Sequence, residues 1–241
     1  MGLGKMESFL ANHIEGFFNR KFSSDLEPVE LMQGLEKKLQ QGKPGQVLPN
    51  VFLFSLSDED YRRLCAQRVI DELITCAEKQ VILQDGYMDG ELSLRIGRKE
   101  SLTRGVYELR LSTEQGPSED TEPHTLVLER SHLDPVRPLN LPAEHKLAAL
   151  TVEEGPDQDS YLEFGEKQIY IGRRDKNEFI LTDQNASRLH AWIEYQRHRH
   201  VLHDAQSTNG TFVNGRRIQS VCLQAGDEIR IGESVLVYEV I

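Results

Sequence analysis

The chain has 241 residues and carries 28 lysines and arginines against 39 aspartates and glutamates, a formal net charge of -11. That length suits two small domains, each with its own core. The acidity disfavours a nucleic-acid partner, whose binding rests on clustered Lys and Arg, though it leaves room for a small basic pocket. No apolar run approaches the roughly 18 residues of a membrane helix, so direct membrane insertion is not expected. The opening stretch MGLGKMESFLANHIEGFF is interrupted by Asn12, His13 and Glu15, which breaks any signal-peptide core and predicts a cytoplasmic protein. Phe9, Leu10, His13, Phe17 and Phe18 recur at helical spacing, and the thin basic face favours core packing over a membrane surface. Pro28 starts a second helix whose Leu31, Leu35 and Leu39 form a stripe that Gly42 ends. NVFLFSL reads as a buried strand, and Ser57 followed by Asp60 resembles a capping box opening a helix from Asp58 to about Lys79. ELSLRIG and VYELRLS alternate as strands, so residues 1–113 read as an α+β unit. Cys65, Cys76 and Cys222 lack CxxC spacing and are odd in number, which suits reduced thiols. Cys65 and Cys76, eleven apart in a helical pattern, are expected on one face as buried filler.

Residues 114–145 change character. Five of the nine prolines fall there (Pro117, Pro123, Pro135, Pro138, Pro142), with seven acidic residues against two arginines, the signature of an extended, solvated linker. Within it, HTLVLER (124–130) is apolar enough to be a short strand or a docking segment.

From residue 146 to 241 the periodicity is that of short strands: KLAALTVEE, QIYIG, EFILT, HAWIEYQ, HVLHD, GTFV, DEIRIG and SVLVYEVI. Turn signals at short intervals without a helical stripe predict an all-β sandwich or barrel. Three loops hold polar residues beyond what a turn requires: IGRRDKNE (171–178), DQNASRLHA (183–191) and AQSTNGT (205–211). Loops at one end of a sandwich cluster in space. Together these offer Arg173, Arg174, Ser187, Arg188, Ser207, Thr208 and Asn209, with no carboxylate dyad and no nucleophile–base pair. Guanidinium forks, hydroxyls and an amide suit a phosphate dianion. No G-x-S-x-G elbow surrounds Ser187, so a hydrolase nucleophile is not indicated. His198, His200 and His203 invite a metal reading, but His203 falls on the opposite strand face from the other two, and no metal or other cofactor is expected.

Gly172-Arg173, then Ser187-Arg188 with His190-Ala191, then Ser207 to Thr211 with Asn214-Gly215, and finally Gly226-Asp227, resemble the forkhead-associated (FHA) domain over about 95 residues. The resemblance implies an eleven-stranded sandwich that binds phosphothreonine peptides through its loops. It implies that Arg173, Ser187 and Arg188 hold the phosphate, that Thr208 shapes the pocket and that Asn209 bonds the peptide backbone. Gly172, His190, Gly210, Asn214 and Gly215 would support the site, His190 as a buried brace and Asn214-Gly215 as a plain turn. Ala186 departs from the β-branched residue more usual before the serine, and is expected to pack inward. Peptide preference in the family comes largely from the third residue after the phosphothreonine, contacted by loops such as 183–186.

The N-terminal unit resembles a bacterial domain found ahead of FHA domains, on PVELMQGLEKKL and LPNVFLFSLSDEDYRRL. That architecture implies bacterial Ser/Thr kinase signalling around cell-wall synthesis and division, with a threonine-phosphorylated kinase or kinase substrate as partner. Linker Thr121 and Thr125 are candidate phosphorylation sites that such a domain could bind in its own tail. The whole reads as a non-enzymatic adaptor. The rival reading places an unrecognised catalytic centre in the N-terminal domain. An RNA-binding role for that domain is disfavoured by its fifteen basic against seventeen acidic residues.

Overall fold

A computed structural model describes residues 17–18, 25–114 and 145–241. The N-terminal part contains β1 (Phe17–Phe18), α1 (Pro28–Leu39), β2 (Val47–Leu48), β3 (Val51–Leu56), α2 (Asp58–Leu64), α3 (Gln67–Leu83), β4 (Tyr87–Met88), β5 (Ser93–Arg98) and β6 (Tyr107–Ser112). Its main sheet has the order β1-β6-β3-β5, with β3 parallel to β5 and antiparallel to β6, and β2 pairs with β4 in a separate short ladder. In α1, Pro28 sits in the first turn, where its missing N–H costs nothing, and Glu30 reaches back to the Glu27 N–H at 2.9 Å. The expected stripe of Leu31, Leu35 and Leu39 is buried, together with Gly34. A Cβ on Gly34 would lie 1.9 Å from the Tyr107 hydroxyl, so the glycine is what lets the helix approach the sheet this closely.

Three N-terminal expectations are corrected. Phe17 and Phe18 belong to a strand paired with Glu108 and Tyr107, because an open sheet edge captures that segment; Phe9, Leu10 and His13 lie outside the described residues. The helix expected from Asp58 to Lys79 is two helices. Ser57 caps α2, accepting from the Asp60 N–H at 3.2 Å, but the chain turns at Cys65 and restarts after an extended Ala66. No glycine or proline marks the break. It arises because α2 lies against β3 and β5 while α3 packs on α1, and one straight rod cannot cover both. Cys65, at that corner, is therefore exposed rather than buried. Cys76 is half-buried, and burial followed by the neighbouring Glu36 carboxylate pushes its thiol up to about 12.

The linker, with its prolines, HTLVLER, Thr121 and Thr125, lies outside the described residues except for its ends. Beyond it come eleven strands: β7 (Ala148–Glu154), β8 (Tyr161–Phe164), β9 (Ile169–Gly172), β10 (Phe179–Ile180), β11 (Ala191–Gln196), β12 (Arg199–Asp204), β13 (Thr211–Val213), β14 (Arg216–Ile218), β15 (Ser220–Cys222), β16 (Glu228–Ile231) and β17 (Ser234–Val240). They form two sheets, β10-β9-β11-β12-β15 and β14-β13-β16-β17-β7-β8. Alternate residues face inward, so Leu150, Val152, Ile171, Ile193, Leu202, Ile229, Ile231 and Leu236 are fully buried between the sheets. The chain is thus an α+β unit followed by an all-β sandwich. No helix among the described residues is long and apolar enough to cross a membrane.

The two units touch at one end of the sandwich. Ile82 of α3 joins the sandwich core, and the β11–β12 turn, with Arg197 and His198 at positive φ, meets the segment after α3. Arg197 bonds Asp89 at 2.6 and 2.9 Å and lies over the Tyr87 ring at 4.0 Å, while its carbonyl accepts from the Met88 N–H at 3.3 Å. Arg199, buried, donates to the Gly86 and Leu223 carbonyls and to Asp85 at 2.8–3.0 Å. Buried Glu78 faces Tyr195 at 3.4 Å, His145 at 3.6 Å and His198 at 3.8 Å.

Candidate functional site

The near ends of β9, β11 and β12 carry the three polar loops, at the opposite end of β11 and β12 from the interdomain contact. Two backbone ladders zip the first two loops together. The Arg173 N–H donates to the Ser187 carbonyl and the Arg174 N–H to the Arg188 carbonyl, both at 3.0 Å, while His190 N–H returns to the Ile171 carbonyl at 2.8 Å. Gly172 makes this approach possible. At φ +150 its backbone is one that side chains rarely adopt, and a Cβ would sit 2.7–2.9 Å from backbone atoms of Ser187, Arg188 and His190.

His190 ties the second loop to the third. It is fully buried, its Nδ1 accepts the Ser187 N–H at 2.9 Å, and the proton this leaves on Nε2 points to the Gly210 carbonyl at 3.2 Å. Burial holds its pKa below the ordinary histidine value, against the pull of that carbonyl and of Asp204 and Asp183, so the neutral ring is the working form. Ser187 Oγ accepts the Thr208 N–H at 3.0 Å and lies 3.4 Å from the Thr208 hydroxyl. Asn209 Nδ2 donates to the Asn185 carbonyl at 2.8 Å, which leaves its amide oxygen without a partner among the described residues.

The two Asn-Gly pairs differ as their surroundings require. Asn214 and Gly215 both have positive φ and close the two-residue turn between β13 and β14, with Asn214 also bonding Asp227 and the Glu228 N–H. In Asn209-Gly210 only the glycine has positive φ, and that loop is held open from below. Asp204 does this: it accepts from Ser207 Oγ at 2.5 Å and Thr211 Oγ1 at 2.7 Å, and Ser207 Oγ in turn accepts the Gly210 N–H at 3.0 Å. Ser207 is thus buried bracing, whereas Thr208 and Asn209 are exposed.

The structure brings Arg173, Ser187, Arg188, Thr208 and Asn209 around one open pocket of ≈ 450 Å³, joined by Arg174. No aspartate or glutamate lines it. The guanidinium groups of Arg173, Arg174 and Arg188 have no hydrogen-bond or ion-pair partner among the described residues. Ala186 packs into the core behind the pocket, as expected of an inward-facing residue. Sequence reasoning missed Asp204, Asp183 and Asn177. Asp183, buried, accepts from Asn185 N–H with one oxygen and from Glu233 N–H, Ser234 N–H and Ser234 Oγ with the other, pinning the second loop to the β16–β17 turn. Burial alone would raise its pKa, but these donors outweigh it and hold the carboxyl below the usual range. The Asp-x-Asn of Asp183–Asn185 and the Asp-x-x-Ser of Asp204–Ser207 are Asx-type turn signals that could have flagged both aspartates. The three histidines of RHRHVLH separate: His198 to the interdomain contact, His200 into the core between Tyr238 and the Gly165 carbonyl, His203 against Trp192 and Glu194.

Residues 169–232 match the FHA domain family, and residues 3–110 match the FhaA N-terminal domain family. An oxoglutarate dehydrogenase inhibitor of Corynebacterium efficiens is 35% identical over 99 residues, 41% of this chain and 68% of that protein. The chain belongs to the FHA-domain family. The glycogen accumulation regulator GarA of Mycobacterium tuberculosis is 33% identical over 91 residues; the aligned part is 38% of this chain and spans just 56% of GarA. Among solved structures, the FhaA FHA domain complexed with the intracellular domain of Rv3910 is 33% identical, covering 38% of this chain and 99% of that one at a TM-score of 0.36. In this chain the stretch that matches the FHA domain follows the stretch that matches the FhaA N-terminal domain.

Proposed function

We propose that this protein is an adaptor that reads phosphothreonine, with Arg173, Ser187 and Arg188 receiving the phosphate, Thr208 shaping the pocket and Asn209 bonding the peptide backbone. The observation that carries the reading is the convergence of unpaired guanidinium groups and two hydroxyls on one carboxylate-free pocket, in a chain of net charge -11. A phosphate dianion at neutral pH supplies the charge and the acceptor oxygens that such a pocket lacks. Charge-assisted bonds contribute about 1.5–3 kcal/mol each, and three of them exceed the cost of association only modestly, which gives micromolar binding and a reversible reader.

The non-enzymatic part of the reading rests on where the N-terminal carboxylates go. Asp60, fully buried, caps α2 through Ser57 and accepts the Gly105 N–H at 2.8 Å, and buried Glu78 faces the sandwich. Asp60 serves the fold, and Glu78 belongs to the contact between the two units. The setting in bacterial Ser/Thr kinase signalling, with a link to cell-wall synthesis or division, is part of the proposal; what supports it is the resemblance of the N-terminal unit to the FhaA N-terminal domain, matched over residues 3–110. Titration calorimetry with a phosphothreonine peptide and its unphosphorylated twin tests the core of this: binding is expected for the first alone, and equal binding of both refutes it. A pulldown comparing wild type with Arg173→Ala, before and after phosphatase treatment, tests the signalling role. Partners retained in every condition would move the function to the N-terminal domain.

A further inference from the structure

The pocket holds one guanidinium more than a phosphate needs. A phosphothreonine brings about two negative charges at neutral pH, which Arg173 and Arg188 balance. Arg174 lines the same pocket and is left with neither an internal partner nor a share of that charge. Its side chain is exposed, but the backbone that carries it is fixed. Its N–H is bonded to the Arg188 carbonyl at 3.0 Å, and its carbonyl accepts the N–H of Asn177 at 3.2 Å. Buried Asn177 clamps the same turn from beneath by donating Nδ2 to the Arg188 carbonyl at 2.9 Å. The loop backbone under Arg174 is thus fixed on both sides. Its ladder partner is one residue further along than that of Arg173, which displaces it from Ser187 toward Arg188 and Leu189. Asp175 follows it in sequence but does not line the pocket, and the Glu178 carboxylate is engaged with the Tyr170 N–H at 2.9 Å.

We infer that Arg174 forms a second anionic subsite beside the phosphate, so that the favoured ligand is a phosphothreonine peptide bearing another negative group, a carboxylate or a second phosphate, close to the phosphothreonine. This rests on the phosphothreonine reading above and narrows its substrate class. The subsite adds selectivity among phosphorylated segments. A neutral-flanked peptide leaves one guanidinium hydrated, whereas an acidic flank meets it on a preformed loop.

The experiment is calorimetry on the full chain with one phosphothreonine peptide having neutral flanks, and a series in which a single Asp is moved through the positions on either side. A phosphoserine replaces the Asp at the best position, which separates a carboxylate from a phosphate as the preferred group. At one or more positions the Asp is expected to tighten wild-type binding by about three- to tenfold. Arg174→Gln should lose the gain, so that the acidic-flanked and neutral-flanked peptides bind this variant within about twofold of each other. Lys176→Gln removes the same charge from the same loop without touching the pocket, and should keep it. The inference is overturned if no acidic position helps, if Arg174→Gln keeps the gain, or if Lys176→Gln loses it equally, since the effect would then be general charge. Should the neutral-flanked phosphopeptide bind no better than its unphosphorylated twin, the underlying phosphothreonine reading falls first and takes this one with it.

Discussion

The two ends of the sandwich carry arginines in similar number and treat them in opposite ways. At the β11–β12 turn, Arg197 and Arg199 are met by Asp89, Asp85 and the carbonyls of Gly86 and Leu223, all but the last from the N-terminal unit. At the other end, Arg173, Arg174 and Arg188 stand on a hydrogen-bonded backbone, and their guanidinium groups have no partner among the described residues. A satisfied cation holds two pieces of protein together. An unsatisfied one is available to an anion, as the proposed function requires. The geometry also keeps the two uses apart, since the N-terminal unit docks a full strand length from the pocket and leaves it open.

If that contrast is right, removing an arginine should cost stability at one end and affinity at the other. The largest effect is expected for Arg199→Ala, which strands the Gly86 and Leu223 carbonyls and should lower unfolding stability by about 3 kcal/mol in urea denaturation, with phosphopeptide affinity unchanged once folded. Arg188→Ala should do the reverse, with unaltered stability and phosphopeptide binding weaker by about 2 kcal/mol, roughly thirtyfold, in calorimetry. An Arg188→Ala protein that binds normally would break the comparison.

Acidity should also drive the two ends in opposite directions. Phosphothreonine has a second pKa of about 6, so peptide affinity should fall as pH drops through that value. His190 has a folded pKa below its ordinary value; its contribution is complete above about 6.5 and is lost as pH falls through the lowered value, which loosens the same loops. At the other end His198 is shifted up: burial opposes its charge, but the Glu78 carboxylate, the Gly90 carbonyl and Glu166 outweigh it. Its contribution is therefore complete below about 6.5 and is lost as pH rises through the raised value. Hydrogen exchange at the Met88 amide, which is bonded to the Arg197 carbonyl across the contact, should quicken with pH beyond the intrinsic rate. Protection that is flat with pH would remove His198 from the contact. The smallest effects concern the paired turns. Asn214→Ala should cost about 1 kcal/mol of stability and spare binding, while Asn209→Ala should weaken binding by a similar amount and spare stability.

The pocket was largely legible in the sequence because its chemistry is local to three short loops. Gly172, Ser187-Arg188 and Ser207 to Asn209 announce themselves as turns carrying more polar groups than a turn needs. The bracing roles of Asp204 and Asp183 are only half legible, since their Asx-type spacing marks a turn but does not say which loop the carboxylate holds from beneath. In the N-terminal unit the stripe of α1 and strands β3, β5 and β6 were readable from period alone. The break at Cys65 and Ala66 was not, because no residue there disfavours a helix and the turn is imposed by two different packing partners.

Periodicity and turn chemistry determined by themselves that an α+β unit precedes a sandwich, and which loops hold the cations, because those signals act over a few neighbouring residues. Which arginines are consumed and which are left free was decided only by tertiary structure. Asp85 and Asp89 lie more than a hundred residues before the guanidinium groups they meet, and no local rule links charges that far apart along the chain.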